Sequence, residues 1–165
     1  MNTPKIYVGT YAKYNNGSIK GAWLDLTDYN DKGSFLDACL EVHKDECDPE
    51  LMFQDYKNFP KSFYHESSLD DRLFEYIQLD ADEQEIVEAY LDNIESKADI
   101  QYILDSYIGT YTSVEDYVEE TADLSDVPAH IVNYIDWKSL ARDIELEGYH
   151  SFIKLSYDKT LVFTK

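Results

Sequence analysis

Positive charge is what this sequence has least of: fourteen lysines and arginines stand against thirty-four aspartates and glutamates in 165 residues, a formal net charge of −20. So negative a chain repels phosphate backbones and anionic headgroups, which excludes direct binding to nucleic acid or to an anionic membrane and turns attention to basic partners. Long apolar runs are also missing. No stretch of about 20 apolar residues is present to cross a bilayer, and the opening MNTPKIYVGTY lacks the apolar centre and cleavage pattern of a secretion signal. The expectation is a soluble protein of the cytoplasm. Cysteine is nearly absent, and Cys39 with Cys47 makes no secreted disulfide framework. Together with His43 the pair spells C-x3-H-x3-C, but that spacing is unlike the common structural zinc patterns and no fourth ligand stands nearby. Catalytic signatures are missing too: there is no nucleophile elbow, Walker loop or H-E-x-x-H, and His65, His130 and His150 are scattered. The expectation is a protein that is not an enzyme and uses no cofactor or metal.

What the chain does have is enough apolar material for a core and an unusual concentration of acid. Hydrophobic residues make up 44% of it, with fifteen tyrosines among them; tyrosine fills a core and can also present a wet hydroxyl at an interface. Between Leu73 and Trp137 seventeen acids face one base, Lys97, a net −16 out of the −20. Like charges this dense repel one another, and folding must overcome that cost. The acids are interleaved at helical intervals with Leu73, Phe74, Tyr76, Ile77, Ile86, Val87, Tyr90, Leu91 and Ile94, the pattern of a folded segment and not of a disordered tail.

Spacing makes the acids informative. A helix over 81–95 places Glu85, Glu88, Asp92 and Glu95 along one face, with successive carboxylates about 5 to 6 Å apart along the axis. Phosphates on one strand of a duplex advance about 3.4 Å per nucleotide, so a carboxylate row can imitate a phosphate row, and a basic DNA cleft would be its receptor. An ordinary solvated helix face has the same pattern. Asp80, Asp82 and Glu83 lead into the row, and Asp99, Glu115, Asp116, Glu119, Glu120, Asp123 and Asp126 extend it as the candidate partner-binding surface. Calcium does not fit the Asp80 loop, because the sixth position of an EF-hand loop there would be Glu85 where glycine is needed.

In chain order, Ile6–Thr10 and Ile19–Leu26 read as a hairpin turning at Asn15-Asn16-Gly17, with Trp23 anchoring a small core. Ser34 with Asp37 is a capping signal for a helix carrying Phe35, Leu36, Cys39, Leu40 and His43 on its apolar side, and Leu51–Tyr56 adds a third strand. Asn58-Phe59-Pro60 marks a boundary. Helices are expected over 69–79, from an Asp80/Glu83 capping box, and over 98–107. Thr112 with Glu115 opens another, whose apolar stripe Val114, Tyr117 and Val118 is core or an oligomer contact. Pro128 starts a short helix, Asp136 caps one containing Trp137, Leu140, Ala141 and Ile144, and 151–157 with 160–163 close the chain as a hairpin. The fold class expected is α+β: an elongated chain of three small units, with α+β units at 1–60 and 108–165 around a helical acidic middle at 61–107.

Two stretches carry a resemblance. The opening IYVGTYAKYNNGSIKGAWLDL, Ile6 to Leu26, resembles the start of the ArdA antirestriction proteins, with a strand, a KYN-x-G turn and a G-x-W strand. DVPAHIVNYIDWKSLARDIELEG, Asp126 to Gly148, resembles the family's second block through its V-P, NYID, R-D and L-x-G elements. The resemblance implies a protein of mobile genetic elements, carried on conjugative plasmids and transposons, that protects incoming DNA in the bacterial cytoplasm. It would mimic a bent duplex and occupy the DNA-binding cleft of the type I restriction-modification methyltransferase core, formed by modification and specificity subunits. It also implies a homodimer through the C-terminal part, for which Tyr111, Val114, Tyr117 and Val118 are the expected contact. The antirestriction block would use Asp136, Leu140, Arg142, Asp143, Glu145 and Glu147. The alternative from charge alone is an acidic binding module for another basic DNA-binding protein, such as a nucleoid protein or regulator.

Overall fold

The computed structural model describes residues 3–165, which form an α+β fold. Two compact units emerge, the first ending at Gln84 and the second running from Glu85 to Lys165. That division falls inside a helix, whereas the sequence suggested seams after 60 and 107.

The first unit is built on a three-stranded antiparallel sheet in the order β2-β1-β3, from β1 (Lys5–Thr10), β2 (Ala22–Asp25) and β3 (Leu51–Lys57). Alternate residues of a strand point to opposite faces. Ile6 and Val8 accordingly sit in the core with no exposure, while Tyr7 pairs in register with Trp23 on the other face. Trp23 therefore does not anchor the core: it is 39% exposed, its ring edge-on to Tyr7 at 5.4 Å with the Lys57 ammonium 4.5 Å above it. The expected hairpin is an antiparallel pair, but a short helix α1 (Tyr11–Asn15) occupies its connection. The Thr10 hydroxyl accepts from the Lys13 N–H and caps this helix, and Gly17 at φ +77° lets the chain leave it. Gly21 then passes so close to β1 that a Cβ there would lie 2.2 Å from the Val8 carbonyl oxygen, a contact only glycine avoids.

Helix α2 (Lys32–Val42) is capped by Asp31, whose carboxylate accepts from the Ser34 N–H at 2.8 Å; Ser34 itself lies in the first turn and is not the cap. Phe35, Cys39 and His43 are buried beneath it, while Leu40 is exposed. After a 3-10 turn come the two-residue strands β4 (Tyr64–His65) and β5 (Ser68–Leu69) and the helix α3 (Arg72–Tyr76). The helix expected over 69–79 is thus shorter, because Leu69 pairs with Tyr64 in a strand. Phe35, Phe53, Phe63 and Leu73, all essentially unexposed, fill this core, each contributing about 1.5–3 kcal/mol by leaving water.

Helix α4 (Ala81–Asn93) carries Val87, Ala89, Tyr90 and Leu91 on its buried side. In the second unit, α5 (Ile100–Ser106), capped by Asp99, leads directly into β6 (Tyr107–Tyr111), so Tyr107 is strand and not helix. Helices α6 (Val114–Thr121), α7 (Ala129–Val132) and α8 (Trp137–Glu147) follow, then the hairpin of β7 (His150–Ser156) and β8 (Lys159–Thr164). The sheet order is β6-β8-β7. The cap of α6 is Ser113, which accepts from the Asp116 N–H at 3.1 Å, one residue after the Thr112 expected. Gly148, at φ +75°, ends α8 in the left-handed conformation that favours glycine. Tyr117 and Val118 of α6, Ala141 of α8 and Val162 of β8 form one apolar cluster, and Tyr90 and Tyr107 both pack on Phe163.

Candidate functional site

The acids of 73–137 are outside the core without exception: Glu83, Glu85 and Asp116 are half-buried and the rest exposed. Several hold the backbone as well as carrying charge. Asp80 and Glu83 close a reciprocal capping box, the Asp80 carboxylate accepting from the Asp82 and Glu83 N–H groups at 3.0 and 2.9 Å and Glu83 accepting from the Asp80 N–H at 3.1 Å. Asp99 accepts from the Tyr102 N–H at 3.1 Å and Asp136 from Ser139 at 3.0 Å. The Ser139 N–H holds the Asp136 carboxyl below its usual range, and the Ser125 N–H does the same for Asp123.

Along α4 the row departs from expectation at its end. Glu85 and Asp92 lie on the helix with Glu88 between them, but α4 stops at Asn93, so Glu95 falls in the turn beyond. The Asn93 side chain donates to the Ala89 carbonyl at 2.8 Å in the last turn. Glu85 forms an ion pair with Lys159. Asp92, Glu95, Glu115, Glu119, Glu120 and Asp126 form none among the described residues. On α6 the acids Glu115, Asp116, Glu119 and Glu120 lie opposite the buried Tyr117 and Val118.

The expected dimer contact divides in two. Tyr117 and Val118 turn inward, and the Tyr117 hydroxyl lies 3.2 Å from His150 Nε2; Tyr111 and Val114 are half-buried against the same cluster. In the antirestriction block Leu140, Arg142, Asp143, Glu145 and Glu147 are exposed on α8, Arg142 pairing loosely with Asp143 at 3.4 Å. Sequence reading passed over Lys138 and Lys154, which come near Arg142 around a cavity of the second unit. Only the fold signals them, because sixteen residues and a change of element separate the two lysines.

The C-x3-H-x3-C residues do not converge. Cys39 is buried, which pushes its thiol up to about 12, and Cys47 is exposed. His43, Asp45 and Glu46 do bring ligand atoms within 4.8 Å of one another. The Lys13 ammonium already sits among them, 2.8 Å from His43 Nδ1, 2.8 Å from Asp45 and 3.1 Å from Glu46. Lysine supplies there the charge a metal would bring, and the Asp45 hydrogen bond raises its pKa.

Fold and surface together define an acid-coated α+β protein that keeps its charge outside two small cores. The family model described as Antirestriction protein (ArdA) matches residues 6–159 and so spans both stretches that carried the resemblance. The chain belongs to the ArdA antirestriction family; its function is antirestriction, and restriction enzymes are the interaction partners the family points to. No curated protein matches the chain. No helix among the described residues is long and apolar enough to cross a membrane.

Proposed function

We propose that the chain acts by imitating duplex DNA, its carboxylates taking the place of phosphates in the DNA-binding cleft of a type I restriction-modification methyltransferase core. The supporting observation is that seventeen acids between Leu73 and Trp137 stand against one base and none is buried. Phosphate contacts position a protein on DNA and base edges specify the sequence. A carboxylate surface copies the first and lacks the second, so inhibition extends across enzymes that recognise different sequences. The mechanism is competitive occupancy in the bacterial cytoplasm, with no bond made or broken. A homodimer formed through the C-terminal unit lengthens the imitated duplex and adds simultaneous contacts; since Tyr117 and Val118 are committed to the chain's own core, Tyr111 and Val114 are the members left to carry such a contact.

The test is a competition in which this protein and a DNA duplex contend for a purified methyltransferase core of modification and specificity subunits. Displacement of DNA that fades as salt rises is the expected result, because exposed charges are screened beyond about 10 Å at 0.1 M salt. No displacement at any salt overturns the reading and favours a different basic partner, such as a nucleoid protein or regulator.

A further inference from the structure

The second unit holds seventeen acids and six bases, yet three of those bases meet around one cavity of about 620 Å³. Lys138 and Arg142 come from one face of α8, four residues apart, and Lys154 from β7. Phe152, Val114 and Ala141 supply apolar surface. Thr160, only 2% exposed, also lines the cavity, and its hydroxyl takes no hydrogen bond from the described residues. At the start of α6, Val114 and Glu115 border the same space; their backbone N–H groups are among the first-turn donors an α-helix leaves unpaired, since Ser113 serves Asp116. Small-molecule sites typically occupy roughly 300–1,000 Å³ and combine apolar walls with a few convergent polar groups.

We infer that this cavity binds a small phosphorylated molecule with an apolar or aromatic portion, of the nucleoside monophosphate class. Three basic residues line it against two acidic ones, Glu115 and Glu145, in a unit where acids outnumber bases almost threefold, and that local excess of positive charge selects an anion once Arg142 turns from its 3.4 Å pairing with Asp143. Polar residues line it from α8, β7, β8 and the start of α6, and donors distributed over several elements suit a tetrahedral phosphoryl group better than a planar carboxylate, which one fork of donors satisfies. Phe152 and Ala141 offer the apolar portion a surface, Val114 being left to the dimer contact. Glu115 and Glu145 also line the cavity, and Asp116, Asp143 and Glu147 lie close in sequence on the same helices. An anion extending beyond the cavity meets these carboxylates, so a polynucleotide is repelled where a mononucleotide is held.

The site does not depend on the DNA-mimic reading, and its test uses no restriction enzyme. The full chain is titrated calorimetrically with adenosine monophosphate, inorganic phosphate and adenosine. Saturable binding of the nucleotide near or below about 1 mM is expected, with phosphate and adenosine each about tenfold weaker or more. Lys138→Gln, Arg142→Gln and Lys154→Gln together remove exposed charges and leave the core intact; the combined variant keeps its melting temperature and loses nucleotide affinity by at least about tenfold. Thr160→Val weakens binding by a smaller factor. Absence of saturable nucleotide binding, equal binding by the triple variant, or tighter binding of single-stranded DNA than of the mononucleotide overturns the inference.

Discussion

Neutralising the acidic row around α4 tests collective mimicry most directly. Structure decides which acids to change. Asp80 and Glu83 close the capping box and Glu85 pairs with Lys159, so replacing them would confuse folding with binding. The informative variant combines Asp82→Asn, Glu88→Gln, Asp92→Asn and Glu95→Gln, with the single Glu88→Gln variant as the control for the contact that Glu88 itself makes within the chain. From Glu85 to Asp92 the helix covers about 10 Å, or about three phosphate steps of a duplex strand. One exposed charge pair is worth a factor of about 1.4 to 5 in an equilibrium constant. Each single substitution is therefore nearly silent. If the four effects multiply, the combined variant loses between about fourfold and several-hundredfold in affinity for the methyltransferase core.

The assay is inhibition of DNA binding by that core, measured for wild type, four single variants and the combination across a salt series. The combined variant should also show a shallower dependence on salt, because fewer charges take part. Relief of self-repulsion opposes the loss of the Asp82 charge from the first turn of α4, so its melting temperature should stay near that of wild type, and weakened inhibition is then not a folding defect. Undiminished inhibition by a folded quadruple variant would remove this row from the binding surface. A single substitution that abolished inhibition would refute the collective mechanism just as directly.

Other measurements check the local structure. Ser113→Ala should cost about 0.5–2 kcal/mol in denaturant unfolding through loss of the α6 cap, while Thr112→Ala, one residue earlier and exposed, changes little. Alkylation of the native protein should label Cys47 alone, because burial holds the Cys39 thiol near 12; modification of both without denaturant would contradict that burial. The Asp136 carboxyl is held below its usual 3.8 by the Ser139 N–H. Its contribution is therefore complete above that value and lost as pH falls through the folded one, so Asp136→Asn should flatten the acid limb of the stability profile below about pH 4.

Signals contained within one or two turns were legible in the sequence. Strand β3, the Asp80/Glu83 box, the Asp136 cap and the closing hairpin each rest on neighbouring residues, and each was found where expected. The mixed α+β class followed from them. Misplaced features depended on partners far along the chain or on competing local signals. Leu69, the first residue of the expected helix, is strand instead because it pairs with Tyr64. Trp23 faces outward because register with Tyr7, and not hydrophobicity, sets its side. At the start of α2 the expected cap, Ser34, lies in the first turn, and the Asp31 carboxylate three residues earlier accepts from its N–H. The acid surface was legible as composition, and Asp80 and Asp136 as caps, but the capping by Asp31 and Asp99 was visible only in three dimensions, as was the cavity shared by Lys138, Arg142 and Lys154.

How a chain with a net charge of −20 folds follows from where its acids stand. Asp31, Asp80, Asp99 and Asp136 begin α2, α4, α5 and α8, and Asp82, Glu83, Glu115 and Asp116 fill first turns. Unpaired N–H groups and the helix dipole make these the positions where negative charge stabilises. Repulsion among these carboxylates is thus opposed by the backbone itself, alongside ion pairs such as Glu85–Lys159 and Asp71–Lys32. The arrangement has a consequence for function. A polyanion neutralised by its own cations would present little field to a basic cleft, whereas one stabilised by backbone dipoles keeps its full charge facing outward. Scarcity of base and stability of the fold are in this way compatible, and the same carboxylates that start the helices remain exposed to a partner.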